Sequence, residues 1–203
     1  MRLEVRFAGF GGQGVITAGR LLTLIIIESN PSMYVIYSPS YGFQTRGGDA
    51  ISDVIISDEE IDYPKARALD LALILSQQAY NKYCKYVKDD GTLIIDKYVN
   101  KQNNCQGKRH YELDILANAR KLGGDVYSSM IALGSAIALL GRNSLLRNKL
   151  KIDTAKHVVT NYFRESLIRR RINIEDMINR NINALELGYD FVTKMNREPI
   201  PEN

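Results

Sequence analysis

Leu3-Glu4-Val5-Arg6-Phe7-Ala8-Gly9-Phe10-Gly11-Gly12-Gln13-Gly14-Val15-Ile16 is the stretch on which the fold turns. Residues 3–8 alternate apolar and charged side chains and then end apolar, the pattern of a strand. Gly9 to Gly14 offer no side chain large enough to continue it and read as a loop. From Val15 onward Ile16, Ala18, Leu21, Leu22, Leu24 and Ile25 cover most faces of a helix, so residues 15–27 are expected to lie buried against a sheet. Asn30-Pro31 stops that helix. Glycines spaced G-x-G-x-x-G directly after a strand permit a tight turn, and N–H groups at the helix N-terminus favour an anion. The same glycines would serve equally if they only let strand and helix pack closely. A dinucleotide reading also asks for an acid at the end of the second strand. Tyr37-Ser38-Pro39 stands there, which argues against a dehydrogenase.

Outward from this unit, residues 33–37 form a second strand, rich in Val, Ile and Tyr. Residues 38–48, with Pro39, Gly42, Gly47 and Gly48, read as a loop. Residues 50–57 are β-like, and residues 71–75, introduced by Asp70, are a short continuous apolar run of the buried-strand kind. A helix is expected over 77–86, a turn at Asp89-Asp90-Gly91, a strand over 92–95 and a loop over 99–108. Residues 113–122 form a helix closed by Gly123-Gly124. Residues 130–140 form a buried helix in which Gly134 and Ala136 allow close approach. Asp153 caps a helix over 154–169. Ile174, Met177, Ile178, Leu185 and Phe191 share one face of an amphipathic helix over 174–195. Strands alternating with helices imply an α/β, three-layer Rossmann-like domain with a mostly parallel sheet and a helical C-terminal segment. One domain is expected over 1–195, with 196–203 a flexible tail.

Composition excludes more than it assigns. The chain has 203 residues, with 27 Lys and Arg against 23 Asp and Glu. The net charge of +4 could attract an anionic ligand or an acidic partner, but no basic run is long enough for a nucleic-acid tail. The charged N-terminus is not a signal peptide, and residues 130–140 are too short for a span of ~20 residues, so a cytoplasmic protein off the membrane is expected. Cys84 and Cys105 have no paired spacing, so this chain alone holds neither an iron–sulfur cluster nor zinc; two buried or reduced thiols are expected. His110 and His157 are isolated. Arg169-Arg170-Arg171 reads as a solvated helix end or a partner contact, and Tyr80, Tyr83 and Tyr86 are spaced for packing. No catalytic residue and no metal site emerge.

The second chemical stretch is Ser40-Tyr41-Gly42-Phe43-Gln44-Thr45-Arg46-Gly47-Gly48. It follows the second strand, where open α/β sheets place ligands. Arg46 brings a fixed charge and a planar fork of donors. Ser40, Tyr41, Gly42, Arg46, Gly47 and Gly48 therefore join Gly9, Gly11, Gly12, Gln13 and Gly14 as candidate ligand-binding residues.

Together the two stretches resemble the gamma subunit of 2-oxoacid:ferredoxin oxidoreductases. Ile61 and Pro64 before Asp70 fit that resemblance, as does Met130-Ile131-Ala132-Leu133-Gly134 beside the family's Asn-Met-Val-Ala-Leu-Gly. Asn181, Ala184, Leu185 and Gly188 match its closing Asn-x-x-Ala-Leu-x-x-Gly, so the likeness runs from residue 3 to about 192. Phe43-Gln44 departs from a common Pro-Glu, and Ser129 from asparagine. Ser-Tyr-Gly with Arg-Gly-Gly is more similar to 2-oxoglutarate enzymes than to pyruvate enzymes, which more often show Phe-Gly and Arg-Arg-Gly-Ala. The resemblance implies a complex that oxidatively decarboxylates a 2-oxoacid, passes the acyl group to coenzyme A and sends electrons to ferredoxin. This chain lacks a Gly-Asp-Gly thiamine motif and cluster cysteines. Thiamine diphosphate, Mg and iron–sulfur clusters would therefore sit in alpha, beta and ferredoxin-like delta partner subunits. Coenzyme A is the natural candidate for the two loops. The competing readings are a free-standing nucleotide-binding protein, a purely structural or regulatory module, and the small subunit of an indolepyruvate oxidoreductase.

Overall fold

Side chains that alternate along a strand need cover on both faces of a sheet, and this chain supplies it from two unequal layers. The computed structural model describes residues 1–41, 48–101, 105, 109–167 and 174–195. Within them, β1 (Arg2–Phe10) leads through α1 (Val15–Ser29) to β2 (Tyr34–Tyr41) and β3 (Asp49–Ser57). Next come β4 (Leu69–Ile74), α2 (Gln77–Tyr83) with a 3-10 turn (Cys84–Tyr86), β5 (Val87–Asp96) and β6 (Arg109–Leu113). The chain continues with α3 (Ile115–Lys121), α4 (Ser128–Leu140), α5 (Ile152–Leu167) and α6 (Ile174–Met195).

The six strands lie in the order β2-β3-β1-β4-β5-β6. β3 is antiparallel to both its neighbours, while β1, β4, β5 and β6 pair in parallel. Five strands thus point one way, as expected of a mostly parallel sheet, and β3 alone is reversed. Leu3, Val5 and Phe7 of β1, Leu71 and Leu73 of β4 and Ile94 of β5 enter one core with α1, α4, α5 and α6. Ala8, Ala72, Ile74, Leu93 and Ile95 enter a smaller one under α2. The period of two fixes which side chain goes where.

The larger layer is closed by an intimate crossing of α4 and α6. A Cβ on Gly188 would overlap the Ile131 carbonyl oxygen and lie 2.6 Å from its carbon; one on Gly134 would overlap the Leu185 carbonyl oxygen. The Ser135 hydroxyl donates to the Gly188 carbonyl at 2.9 Å. Small residues here let two helix backbones touch.

Several boundaries differ from expectation for identifiable reasons. β2 runs on through Tyr41, because Pro39 sits in an edge strand whose only partner is β3, where a missing N–H is tolerated. Asp89-Asp90-Gly91 lies within β5, where the pairing with β4 shifts register, and does not end the strand. β6 was not expected: Arg109-His110-Tyr111-Glu112-Leu113 carries no apolar run because it is the opposite edge strand and only Leu113 is buried. The cysteines are the clearest correction. Cys84 and Cys105 are buried, but as a disulfide and not as free thiols, with Cα atoms 6.1 Å apart and a sequence separation of 21. Their spacing conceals this because the bond joins the end of α2 to the β5–β6 connection, a pairing that only the third dimension creates. Residues 196–203 and Arg169-Arg170-Arg171 lie outside the described residues.

Candidate functional site at the switch point of the sheet

From β1 the chain winds to β3 and β2 on one side, and from β4 to β5 and β6 on the other. The carboxyl ends of β1 and β4 therefore flank the crevice where open α/β sheets hold ligands. The Gly-rich loop occupies this place. Gly12 and Gly14 adopt φ of 103° and 78°, a region costly for any residue with a Cβ. Gly14 precedes α1, whose N-terminus carries no side-chain cap. Among the described residues no side chain caps the N–H groups of that first turn, which are donors suited to an anion.

Gln13, expected beside a ligand, is turned into the protein and only 7% exposed. Its Oε1 accepts from the Phe10 N–H at 2.7 Å, and its Nε2 donates to the Leu75 carbonyl at 3.3 Å. The side chain therefore bridges the Gly loop to the end of β4 and fills part of the crevice. Gly9 makes room for it, since a Cβ there would meet Gln13 Oε1 and come within 3.2 Å of Leu75 Cβ.

The second stretch is brought alongside. The Gly11 N–H donates to the Gly48 carbonyl at 2.8 Å, stitching the two loops together. Ser40 is exposed at the end of β2, and Tyr41 is 71% exposed. Gly42, Arg46 and Gly47 lie outside the described residues, as do Phe43 and Gln44. Beside Gly48, Asp49 pairs with Phe10 in the sheet. Asp49 Oδ2 accepts from Lys82 Nζ at 2.7 Å and from the Tyr83 hydroxyl. Burial, then the bond to Asp49, raises the Tyr83 pKa. The bond to Asp49, then that to Tyr83, raises the Lys82 pKa. Tyr37 donates to the Ile16 carbonyl at 2.9 Å, tying β2 to the first turn of α1, and burial raises its pKa.

Two residues marked in sequence only by resemblance also reach this place. A cavity of about 90 Å³ at the start of α1 is lined by Gly14, Ser129 and Asn181, with Met130, Phe163 and Met177. Ser129 donates to the Val126 carbonyl at 3.1 Å, and Asn181 Nδ2 to the Met177 carbonyl at 2.8 Å. A polar side chain inside an otherwise apolar helix face is the sequence signal that could have marked them without the resemblance. A wider cavity of about 290 Å³, lined by Asp70, Asp90, Arg109 and Arg142, opens at the other end of the sheet.

Beneath the loops, Arg6 and Asp53 form a buried two-pronged pair at 2.6 and 2.7 Å, with the guanidinium 5.0 Å from the Tyr83 ring. Among the described residues no cluster of His, Cys, Asp and Glu could hold a metal ion, and no helix is long and apolar enough to cross a membrane.

A family model described as pyruvate ferredoxin/flavodoxin oxidoreductase matches residues 4–191. The 2-oxoglutarate synthase subunit KorC of Methanothermobacter marburgensis is 44% identical over 106 residues, which are 52% of this chain and 56% of that subunit. The KorC subunit of Archaeoglobus fulgidus is 36% identical over 139 residues, 68% of this chain and 71% of the relative. The chain thus spans about half the length of the first of these relatives and more of the second. The keto/oxoacid ferredoxin oxidoreductase gamma subunit of Geobacter sulfurreducens superposes with a TM-score of 0.73 at 28% identity, covering 96% of this chain and 98% of that one.

Proposed function

This chain belongs to the pyruvate ferredoxin/flavodoxin oxidoreductase family, and from that membership we propose that it is the gamma subunit of a cytoplasmic 2-oxoglutarate:ferredoxin oxidoreductase. The observation that carries the substrate is the identity of 44% and 36% to subunits named 2-oxoglutarate synthase KorC. The reaction converts 2-oxoglutarate and coenzyme A to succinyl-coenzyme A and CO2, and passes two electrons to ferredoxin. Thiamine diphosphate with Mg supplies the carbon chemistry and iron–sulfur clusters carry the electrons, all in alpha, beta and delta partners.

This chain's own part is to bind and orient. The uncapped start of α1, exposed Ser40 and Tyr41, and Arg46, five residues on from Tyr41 in sequence, suit a phosphate-bearing ligand, and coenzyme A is the one the reaction requires. Gln13 and the Gly11–Gly48 bond hold the loops in place. The domain spans residues 1–195 in this reading.

Affinity purification of the tagged chain from its own cells tests the assignment. Co-elution of thiamine-binding and ferredoxin-like subunits, with 2-oxoglutarate-dependent dye reduction that needs coenzyme A, is expected. A chain that elutes alone where other complexes survive refutes it, and faster turnover of another 2-oxoacid corrects the substrate. Calorimetry of the complex with coenzyme A tests the site: unchanged affinity in Arg46→Ala removes Arg46 from it.

A further inference from the structure

We propose that the Cys84–Cys105 disulfide is a redox-sensitive lock on the Gly-rich loop and on Gly48 beside it, acting through α2 and Asp49; its effect on ligand binding rests on the reading above. A continuous chain of bonds supports it. Cys84 directly follows Tyr83 and stands two residues from Lys82, the two side chains that grip Asp49 Oδ2. The other oxygen of Asp49 is buried with no hydrogen-bond partner among the described residues, so the grip from α2 sets its side chain. Asp49 adjoins Gly48, whose carbonyl takes the Gly11 N–H of the Gly-rich loop.

Beyond Ala79, Tyr80 and Tyr83 in the smaller core and Gln77 bonded to Asn100, the lock adds a covalent hold at the C-terminal end of α2. That helix spans seven residues, Gln77–Tyr83, well below the ~12–15 at which a helix is even marginally stable alone. Ser76 caps its start, and the disulfide fastens the turn at its end. Both cysteines are 1% exposed, so a reductant reaches them only when this layer opens. A dithiol delivers two electrons and two protons through a mixed disulfide: the S–S bond breaks, Cys84 and Cys105 become thiols, and the dithiol leaves as its own disulfide. The freed end of α2 then slackens its hold on Asp49, and with it on Gly48 and the Gly-rich loop bonded to it.

The test is hydrogen exchange on the complex purified from its own cells, before and after dithiothreitol. Titration under denaturing conditions should find no free thiol in this chain before treatment and two after. Amides in residues 9–14 and 48–53 should exchange about tenfold faster after reduction while those of α4 do not change. The Cys84→Ser/Cys105→Ser variant should exchange like the reduced protein, with or without dithiothreitol. Coenzyme A affinity should fall about tenfold on reduction, or ~1.4 kcal/mol. Two free thiols in the untreated chain, or exchange indifferent to reduction, overturns the lock. Exchange that responds in a complex that binds no coenzyme A in either state upholds the lock and rejects the ligand.

Discussion

Gly188→Ala puts one methyl group where two helices already touch. Its Cβ would stand 2.6 Å from the Ile131 carbonyl carbon and overlap the oxygen. Carbon contacts prefer ~3.5–4.0 Å, so α4 and α6 must part by about 1 Å. The obstruction is backbone and cannot rotate away. Overpacking of this kind costs ~1–3 kcal/mol, with the upper end expected here. Loss of the bond from Ser135 to the Gly188 carbonyl adds about 1 kcal/mol. Alanine's better helix propensity returns about 1 kcal/mol. A net loss of about 3 kcal/mol corresponds to a Tm lower by ~6–12 °C for a chain of this size. Thermal and urea unfolding of the purified chain measure it, with Ser135→Ala isolating the hydrogen bond. Adding Gly134→Ala should cost much less than a second full increment, because the helices are already apart. A Gly188→Ala protein as stable as its parent, or two fully additive substitutions, would falsify the backbone-contact reasoning.

Three further outcomes are expected. Gln13→Ala leaves the Phe10 N–H without its acceptor and should lower stability by ~1–3 kcal/mol in urea unfolding, whereas a purely ligand-contacting Gln13 would leave it unchanged. Arg6→Met strands the buried Asp53 carboxylate and should cost ~3–5 kcal/mol, with much of the loss recovered in Arg6→Met/Asp53→Leu; equal losses in single and double variants would refute the pairing. The Tyr83 and Lys82 pKa values are both raised above unfolded values of ~10 and ~10.4. Their contribution is fully present below about pH 10 and is lost as pH rises through the folded values. Tm measured from pH 8 to 12 should therefore fall more steeply in the parent than in Tyr83→Phe, and parallel curves would count against the clamp.

Local chemistry made much of this molecule readable. The strand–glycine–helix unit stands where residues 3–27 put it, because its period and its glycines are set by neighbours in sequence. The apolar run at 130–140 and the stripe at 174–195 are α4 and α6 for the same reason. What escaped depends on distant partners. The edge positions of β2 and β6 let Pro39 and a polar pentapeptide into strands. The disulfide joins residues that no spacing rule connects. The inward turn of Gln13 follows from a free carbonyl at Leu75, 62 residues away. The convergence of Gly14, Ser129 and Asn181 on one cavity needs α4 and α6 to cross at their glycines.

The reversed β3 bears on how the chain first comes together. β1 and β2 are consecutive, joined by α1, yet never pair; a whole strand separates them, about 9–10 Å at the usual spacing. A growing chain that has delivered only residues 1–41 therefore holds two strands with nothing between them. The gap closes when β3 arrives and pairs with both. For a polypeptide leaving the ribosome, residues 49–57 are the point at which one half of the sheet can condense. Substitutions there should slow folding more than their effect on final stability would indicate.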